Sequence, residues 1–305
     1  AGTQVLIWGI SDGGAITDVI SPRNYSELFF ISLEESRIGQ PMLTLDQFTP
    51  IGAWELFFIP DPDFNKYPEE GTAYYYDPFD DLAQYQDDPS DRALFEYGLR
   101  WKKTFGKSDV SLMTASLMDN DYAYRMDGYT DTGKILITKT KQRYSLLGMT
   151  ANYAKGKFLY KWEVAYKAPK AFNDEAFHVV KKNVVDTSLA VEYSPGPGAY
   201  TLSLEVVNNH VMDWGHEIQG VPRDTNSLIL VWNKSFFNDD FTVNWMTIYR
   251  EPNTVYLHSL TTSYNWNDNL TLCLDAYYPD VKDERSSYWV YRDQKQLIFR
   301  IEYHF

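Results

Sequence analysis

The sequence predicts an all-β fold: a transmembrane, antiparallel up-and-down β-barrel with about fourteen strands in this chain. Three observations predict it. Apolar and polar residues alternate along most of the 305 residues, the links between alternating runs are short and long by turns, and the last run ends at Phe305.

In that last run, Leu297, Phe299, Ile301, Tyr303 and Phe305 share one face of a period-two pattern, and Gln296, Ile298, Arg300, Glu302 and His304 share the other. Such a strand fits lipid on one side and a watery lumen on the other. Its aromatic terminus resembles the signal by which bacterial outer-membrane barrels are handed to their insertion machinery. An edge strand of a soluble sandwich is the alternative.

The same alternation predicts strands near 4–10, 41–49, 53–60, 93–105, 108–118, 143–154, 157–168, 183–193, 200–209, 226–234, 240–249, 254–265, 269–278 and 296–305. In 157–168, for example, Phe158, Tyr160, Trp162, Val164 and Tyr166 oppose Lys161, Glu163, Ala165 and Lys167. Runs of about ten residues suit a tilted strand crossing a bilayer. No stretch approaches the run of about 18 apolar residues that a membrane helix needs. A negative mean hydropathy beside 24 Tyr, 17 Phe and 9 Trp fits strands that are half polar, with aromatics at both interfaces. The net charge of −14 argues against nucleic acid, which needs a basic face. The single cysteine, Cys273, shares a strand face with Thr271, Asp275 and Tyr277 and reads as a lumen-side filler.

Short links fall at 50–52, 106–107, 155–156, 194–198, 235–239 and 266–268, rich in Gly, Pro, Asn and Asp as tight turns require. Long links fall at 11–40, 61–92, 119–142, 169–182, 210–225 and 279–295, with 250–253 the one brief exception. That phase matches short periplasmic turns and long extracellular loops, with both termini periplasmic. Segment 61–92 carries Asp61, Asp63, Glu69, Glu70, Asp77, Asp80, Asp81, Asp87, Asp88 and Asp91 against Lys66 and Arg92. It reads first as a long acidic extracellular loop kept soluble by charge, and second as a divalent-cation bridge to lipopolysaccharide phosphates. No dedicated metal site and no cofactor is implied. The run Tyr74–Phe79 is either a docking surface or, preferably, packing for the other loops.

Gln4-Val-Leu-Ile-Trp-Gly9, Thr17-Asp-Val-Ile-Ser-Pro-Arg-Asn24, Arg37-Ile-Gly-Gln-Pro-Met-Leu43, Trp54-Glu-Leu-Phe-Phe-Ile-Pro60 and Tyr67-Pro-Glu-Glu-Gly71 follow one another in a familiar order. Together they resemble the proteobacterial outer-membrane family filed as domain of unknown function 1302. The resemblance is specific over residues 4–71; beyond them it rests on the barrel pattern and the terminal Phe. It implies a porin-like barrel, often encoded beside exporters of hydrophobic compounds, with an envelope export partner. In the family, further strands precede the one corresponding to Gln4–Gly9. Either this is a short member closing with fourteen strands, or an N-terminal part lies outside the sequence and the barrel approaches eighteen. The second is expected, because an open sheet edge has no place in lipid.

Segment 11–40 is rich in apolar residues (Ile16, Val19, Ile20, Leu28, Phe29, Phe30, Ile31) that need burial, and the lumen is the available place. It is expected to fold inward as a constriction loop, bringing Asp18, Arg23, Asn24, Glu35 and Arg37 toward wall charges. The pleat places Glu96, Arg100, Lys102, Lys161, Glu163, Glu192, Glu205, Asp275, Arg300 and Glu302 on that wall. Both signs are present, which suits passage of a small, dipolar or amphiphilic solute rather than one ion. The partners expected are the bilayer and its lipopolysaccharide, the insertion machinery through Phe305, and the solute. Two other functions compete. One is a structural or interaction barrel within an envelope complex. The other is an outer-membrane hydrolase, for which only His210 and His216, near Asp213 and Glu217, are placed, with no nucleophile motif beside them.

Overall fold

The computed structural model describes residues 1–14, 16–28, 30, 34–79, 82–89 and 94–304. Wherever apolar and polar residues alternate over a long run, the backbone is extended and paired with its sequence neighbour. The strands are β1 (Gly2–Gln4), β2 (Gln40–Thr49), β3 (Gly52–Ile59), β4 (Ala83–Asp87), β5 (Glu96–Phe105), β6 (Ser108–Met118), β7 (Ala123–Tyr129), β8 (Ile135–Thr140) and β9 (Arg143–Lys155). They continue with β10 (Phe158–Asn173), β11 (Val179–Tyr193), β12 (Thr201–Val211), β13 (Asp224–Phe236), β14 (Phe241–Glu251), β15 (Val255–Asn267), β16 (Leu270–Val281) and β17 (Gln296–Tyr303). Fourteen of them form one antiparallel sheet in the order β1-β2-β3-β5-β6-β9-β10-β11-β12-β13-β14-β15-β16-β17, an up-and-down, barrel-like meander that does not close. The other three form a small sheet, β4-β8-β7.

Apart from the brief links after β10 and β14, the short links, those after β2, β5, β9, β11, β13 and β15, lie at one end of the meander. Gly106 and Gly156 sit there at φ +62° and +63°, a left-handed backbone that tight turns require and side chains resist. All longer links lie at the other end. Three departures from expectation occur at that loop end. The link expected at 169–182 is mostly strand: β10 and β11 run on as a hairpin to Asn173 and Val179. The links at 61–92 and 119–142 are not bare loops, because they contribute β4 and then β7 and β8, with β4 pairing parallel to β8. The small sheet is tied to the hairpin by a reciprocal pair, Tyr124 N–H to Asn173 Oδ1 (2.9 Å) and Asn173 Nδ2–H to the Tyr124 carbonyl (2.5 Å). Single-chain alternation could not show these pairings, since their partners are remote in sequence.

The first strand also departs from expectation. Residues 4–10 do not form a wall strand; β1 ends at Gln4 and pairs only with Gln40–Met42. Beyond it the chain leaves the sheet, because its polar groups find partners across the interior. The Trp8 indole N–H donates to Glu55 Oε1 at 2.6 Å, and the Ile10 and Ser11 amides donate to Glu163 Oε2 at 2.9 and 3.1 Å. β1 and β17 are not paired with each other. Phe305 itself lies outside the described residues.

The pleat divides the sheet into two faces. Large apolar side chains stand exposed on the outer one in every part of the sheet: Leu45, Leu56, Leu112, Leu147, Leu189, Leu204, Leu228, Leu260, Leu274 and Phe299 among them. Exposed aromatics gather near both strand ends. Phe48, Phe105, Phe158, Tyr264 and Trp266 are at the turn end; Phe58, Phe95, Tyr97, Tyr166 and Tyr278 are at the loop end. Many are in ring contact with a neighbour, as Phe158 with Tyr193 (4.9 Å) and Phe58 with Phe95 (6.0 Å). On the inner face Glu55, Glu96, Arg100, Glu163, Lys167, Asp186, Glu205 and Asp275 are buried. Cys273 is buried there too, with Sγ 3.8 Å from Glu302 Oε1.

The hydrophobic core lies between this inner face and the segment 5–39. Trp8, Ile16 and Ile20 of the segment pack with Met42, Phe57, Ile59, Met113, Leu117, Tyr144, Leu146, Val207 and Ile229 of the wall. Each such large side chain contributes about 1.5–3 kcal/mol on full burial. The Trp8 ring meets Phe57 edge-on at 5.2 Å, with the Arg100 guanidinium 5.5 Å from its centroid.

Candidate functional site

Segment 5–39 crosses the inner face as a strap, longer than the 11–40 expected and beginning at the end of β1. Two wall glutamates hold its backbone. Glu163, on β10, accepts the Ile10 and Ser11 amides on Oε2 and both the Thr17 amide (2.7 Å) and hydroxyl (2.6 Å) on Oε1. Glu205, on β12, accepts the Asp12 and Gly13 amides on Oε2 at 3.0 and 3.2 Å, while the Ser11 and Ser188 hydroxyls donate to its Oε1. Both carboxylates are desolvated, and their charge is met by fixed donors rather than by a counter-ion. Hydrogen bonds to a charged acceptor are the stronger kind. Asp12 adds a third tie, accepting from Lys161 Nζ (2.7 Å) and Ser203 Oγ (2.6 Å), with Glu192 3.3 Å from the same ammonium.

Close approach depends on glycines. A Cβ on Gly13 would stand 2.7 Å from Ile229 Cδ1, and one on Gly148 of β9 would stand 2.9 Å from Thr17 Cγ2. The added side chain would also meet Ile229 Cγ2, which a Cβ alone approaches to 3.2 Å. Gly13→Val is therefore expected to lift this part of the strap, read as faster amide exchange at residues 10–17 with the rest of the sheet unchanged. Exchange that matches the parent protein would show that the strap yields without leaving the wall.

Of the residues expected on the strap, Asp18, Arg23 and Arg37 pair with one another rather than with the wall. Asp18 Oδ2 lies 2.8 Å from Arg23 Nη2 and 2.9 Å from Arg37 Nη2. A buried charge needs its partner within a few ångströms, and the turn closed by the Arg23↔Arg37 bridge supplies it locally. Asn24 also stays local, its Oδ1 accepting from the Ser26 amide and hydroxyl. Glu35 alone among these reaches the wall, 3.6 Å from Arg300.

The wall residues fall as the pleat requires, with different partners from those expected. Arg100 pairs with Glu55 (2.9 Å) and donates to the Ile7 carbonyl (3.0 Å). Glu96 accepts the Met118 amide at 2.7 Å and stands apart from the strap. Arg300 lies 2.9 Å from Asp275 and 4.0 Å from Glu302. Asp275 is 2 % exposed, so Arg300→Leu removes the only cation within bonding distance of it among the described residues. Because the Arg300 side chain is itself 43 % exposed and solvent screens the pair, a loss of about 1–3 kcal/mol in unfolding free energy is expected, and Arg300→Lys should recover much of it. An unchanged denaturation midpoint would mean that water reaches Asp275.

The loop end closes over the strap. Tyr25 stacks on Tyr67 (5.6 Å), whose hydroxyl donates to Asp121. Phe30 meets both Tyr74 (5.0 Å) and Tyr277 (5.8 Å), and Phe79 meets Phe177 (5.4 Å), so part of the 74–79 run packs against other loops. Phe29 and Ile31 lie outside the described residues, as do Asp80, Asp81, Asp91 and Arg92. Among the described residues no cluster of three or more His, Cys, Asp or Glu side chains is arranged to hold a metal ion. His210 Nδ1 lies 2.7 Å from Asp224 Oδ1, and His216 packs edge-on to Trp214 at 4.9 Å. No serine is hydrogen-bonded to either ring among the described residues.

The strap leaves one side of the interior open. Beside it lies a cavity of about 640 Å³, within the range of small-molecule sites. Strap residues Asp12, Gly13, Ile16, Leu28 and Glu34 form one side; Ile229, Val231, Asn244, Met246, Ile248, Arg250, Leu257, Ser259 and Thr261 of β13–β15 form the other. Lys167 and Asp186, paired at 2.5 Å, border it. Sequence reasoning missed this cavity and its Arg250, because inner-face alternation on β13–β15 marks which way side chains point but not which stretch the strap leaves uncovered. No family model matches the chain, and no curated protein matches it.

Proposed function

We propose that the protein is a bacterial outer-membrane β-barrel of porin-like type that passes a small amphiphilic solute along the side of its interior strap. One observation carries the proposal. A sheet with exposed leucines and aromatics over its whole outer face has its charged and polar groups turned inward, the reverse of a protein folded in water. The aromatic rims, the segregation of short and long links, and the resemblance over residues 4–71 to the domain of unknown function 1302 family support the same reading. On this reading the turn end is periplasmic and the loop end meets lipopolysaccharide.

The strap makes the difference between an open pore and a selective one. A fourteen-stranded or larger barrel would leave a wide aqueous lumen; here the Trp8–Ile20 core and the Glu163 and Glu205 ties occupy part of the interior, with the 640 Å³ cavity beside them. Purified protein in planar lipid bilayers is expected to give discrete conductance steps. On intact cells, cysteines introduced for Lys107 and Lys155 should be shielded from a membrane-impermeant label. Absence of conductance would remove the channel reading, and labelling at both turn positions would overturn the orientation.

A further inference from the structure

Arg250 is the charged group in the cavity that the fold leaves for a ligand. Its Nε donates to Ser227 Oγ and its Nη1 to Tyr288 Oη, both at 3.3 Å, and both partners are neutral hydroxyls. No carboxylate lies within ion-pair distance of it among the described residues, and Nη2 has no hydrogen-bond partner there. The other charges around the cavity differ. Asp12 is held by Lys161, and Asp186 by Lys167 and Asn209. Glu34 is exposed on the strap side. Arg250, Ser227 and Tyr288 all line the cavity. Below the guanidinium, toward the turn end, the cross-strand pairs Ile229↔Ile248, Ile248↔Leu257 and Val231↔Met246 form an apolar patch. Ser259 is level with Met246, and the pair Asn244↔Thr261 follows as a polar floor. At about 3.3 Å per residue, Arg250 to Asn244 spans roughly 20 Å.

We infer that this cavity binds an anionic amphiphile, its carboxylate or phosphate headgroup paired with Arg250 and its short apolar tail on Ile229, Val231, Met246, Ile248 and Leu257. A guanidinium fork fits either headgroup through two parallel N–H donors. The partly apolar wall accepts a tail, and the polar floor limits its length. The inference rests on the channel reading and names the solute class for it.

Protein in lipid nanodiscs is titrated by calorimetry with octanoate, octyl phosphate and octylammonium, each below its aggregation concentration, and empty nanodiscs serve as the partition control. Octanoate or octyl phosphate is expected to bind saturably and octylammonium not; the stronger of the two anions tells whether the natural headgroup is a carboxylate or a phosphate. Arg250→Gln should weaken the anion at least tenfold, and Arg250→Lys should recover part of that loss. Equal binding of all three probes, or an unchanged Arg250→Gln, overturns the inference. Because the head-group comparison is made on the unaltered protein, a variant that folds poorly does not decide the outcome. Conductance of the same preparation without ligand separates the two claims: steps that persist without anion binding leave the channel standing and remove the ligand.

Discussion

Glu205→Ala is expected to raise the single-channel conductance several-fold, with more frequent transitions to the wider state. The substitution removes one acceptor that serves four donors: the Asp12 and Gly13 amides and the Ser11 and Ser188 hydroxyls. Each hydrogen bond to a charged acceptor is worth about 1.5–3 kcal/mol, and donors left without a partner add their own cost. Water entering from the cavity side recovers part of this, so a net loss of about 2–5 kcal/mol is reasonable. Since 1.4 kcal/mol is a factor of ten in a population, a loss near 3 kcal/mol makes a detached strap about a hundredfold more common. Glu205→Gln should fall between, because its amide oxygen still accepts while its amide nitrogen faces donors. Deleting residues 24–36, including Leu28 and Glu34 at the cavity wall, should widen the passage by a separate route. Conductance unchanged by both alterations would place the constriction outside the strap, in segment 61–92.

The second large effect is on the outer face. Leu189 is 57 % exposed on β11, between Trp162 and Val206 of its neighbours and in the middle of the leucine band. Leu189→Arg is expected to cost about 2–4 kcal/mol of folding into lipid vesicles, the depth-dependent penalty of arginine near the bilayer midplane. Phe299→Arg on β17 should behave alike. In water, an exposed Leu→Arg change is ordinarily within about 0.5 kcal/mol of neutral. A shift in the urea midpoint with the protein in vesicles supports the membrane reading; a neutral or stabilising result would count directly against it.

Much of the wall was legible in the sequence because the signal for it is local. Phe158 to Lys167 alternates without a break, and a strand with unlike faces has only two ways to lie, so Trp162 and Val164 go outward and Glu163 and Ala165 inward once one face is known. Thirteen of the fourteen strands of the large sheet were read in this way, and the turn residues at Gly106 and Gly156 set their phase. Inward placement of Glu163 and Glu205 was therefore determined by sequence, as was the need of Ile16 and Ile20 for burial.

What those side chains touch was decided only by tertiary structure. The run Gln4–Gly9 was read as a wall strand, yet it leaves the sheet after Gln4: Glu55 on β3 takes the Trp8 indole N–H, and Glu163, far away on β10, takes the Ile10 amide that follows. Asp18 found Arg23 and Arg37 before it could find the wall, since desolvation rewards the nearest counter-ion. The small β4-β8-β7 sheet, the burial of Asp275 beside Arg300, and the placing of Arg250 between the Ser227 and Tyr288 hydroxyls all depend on segments separated by tens of residues. A period of two specifies the direction in which a side chain points; only the packed chain specifies what it meets there.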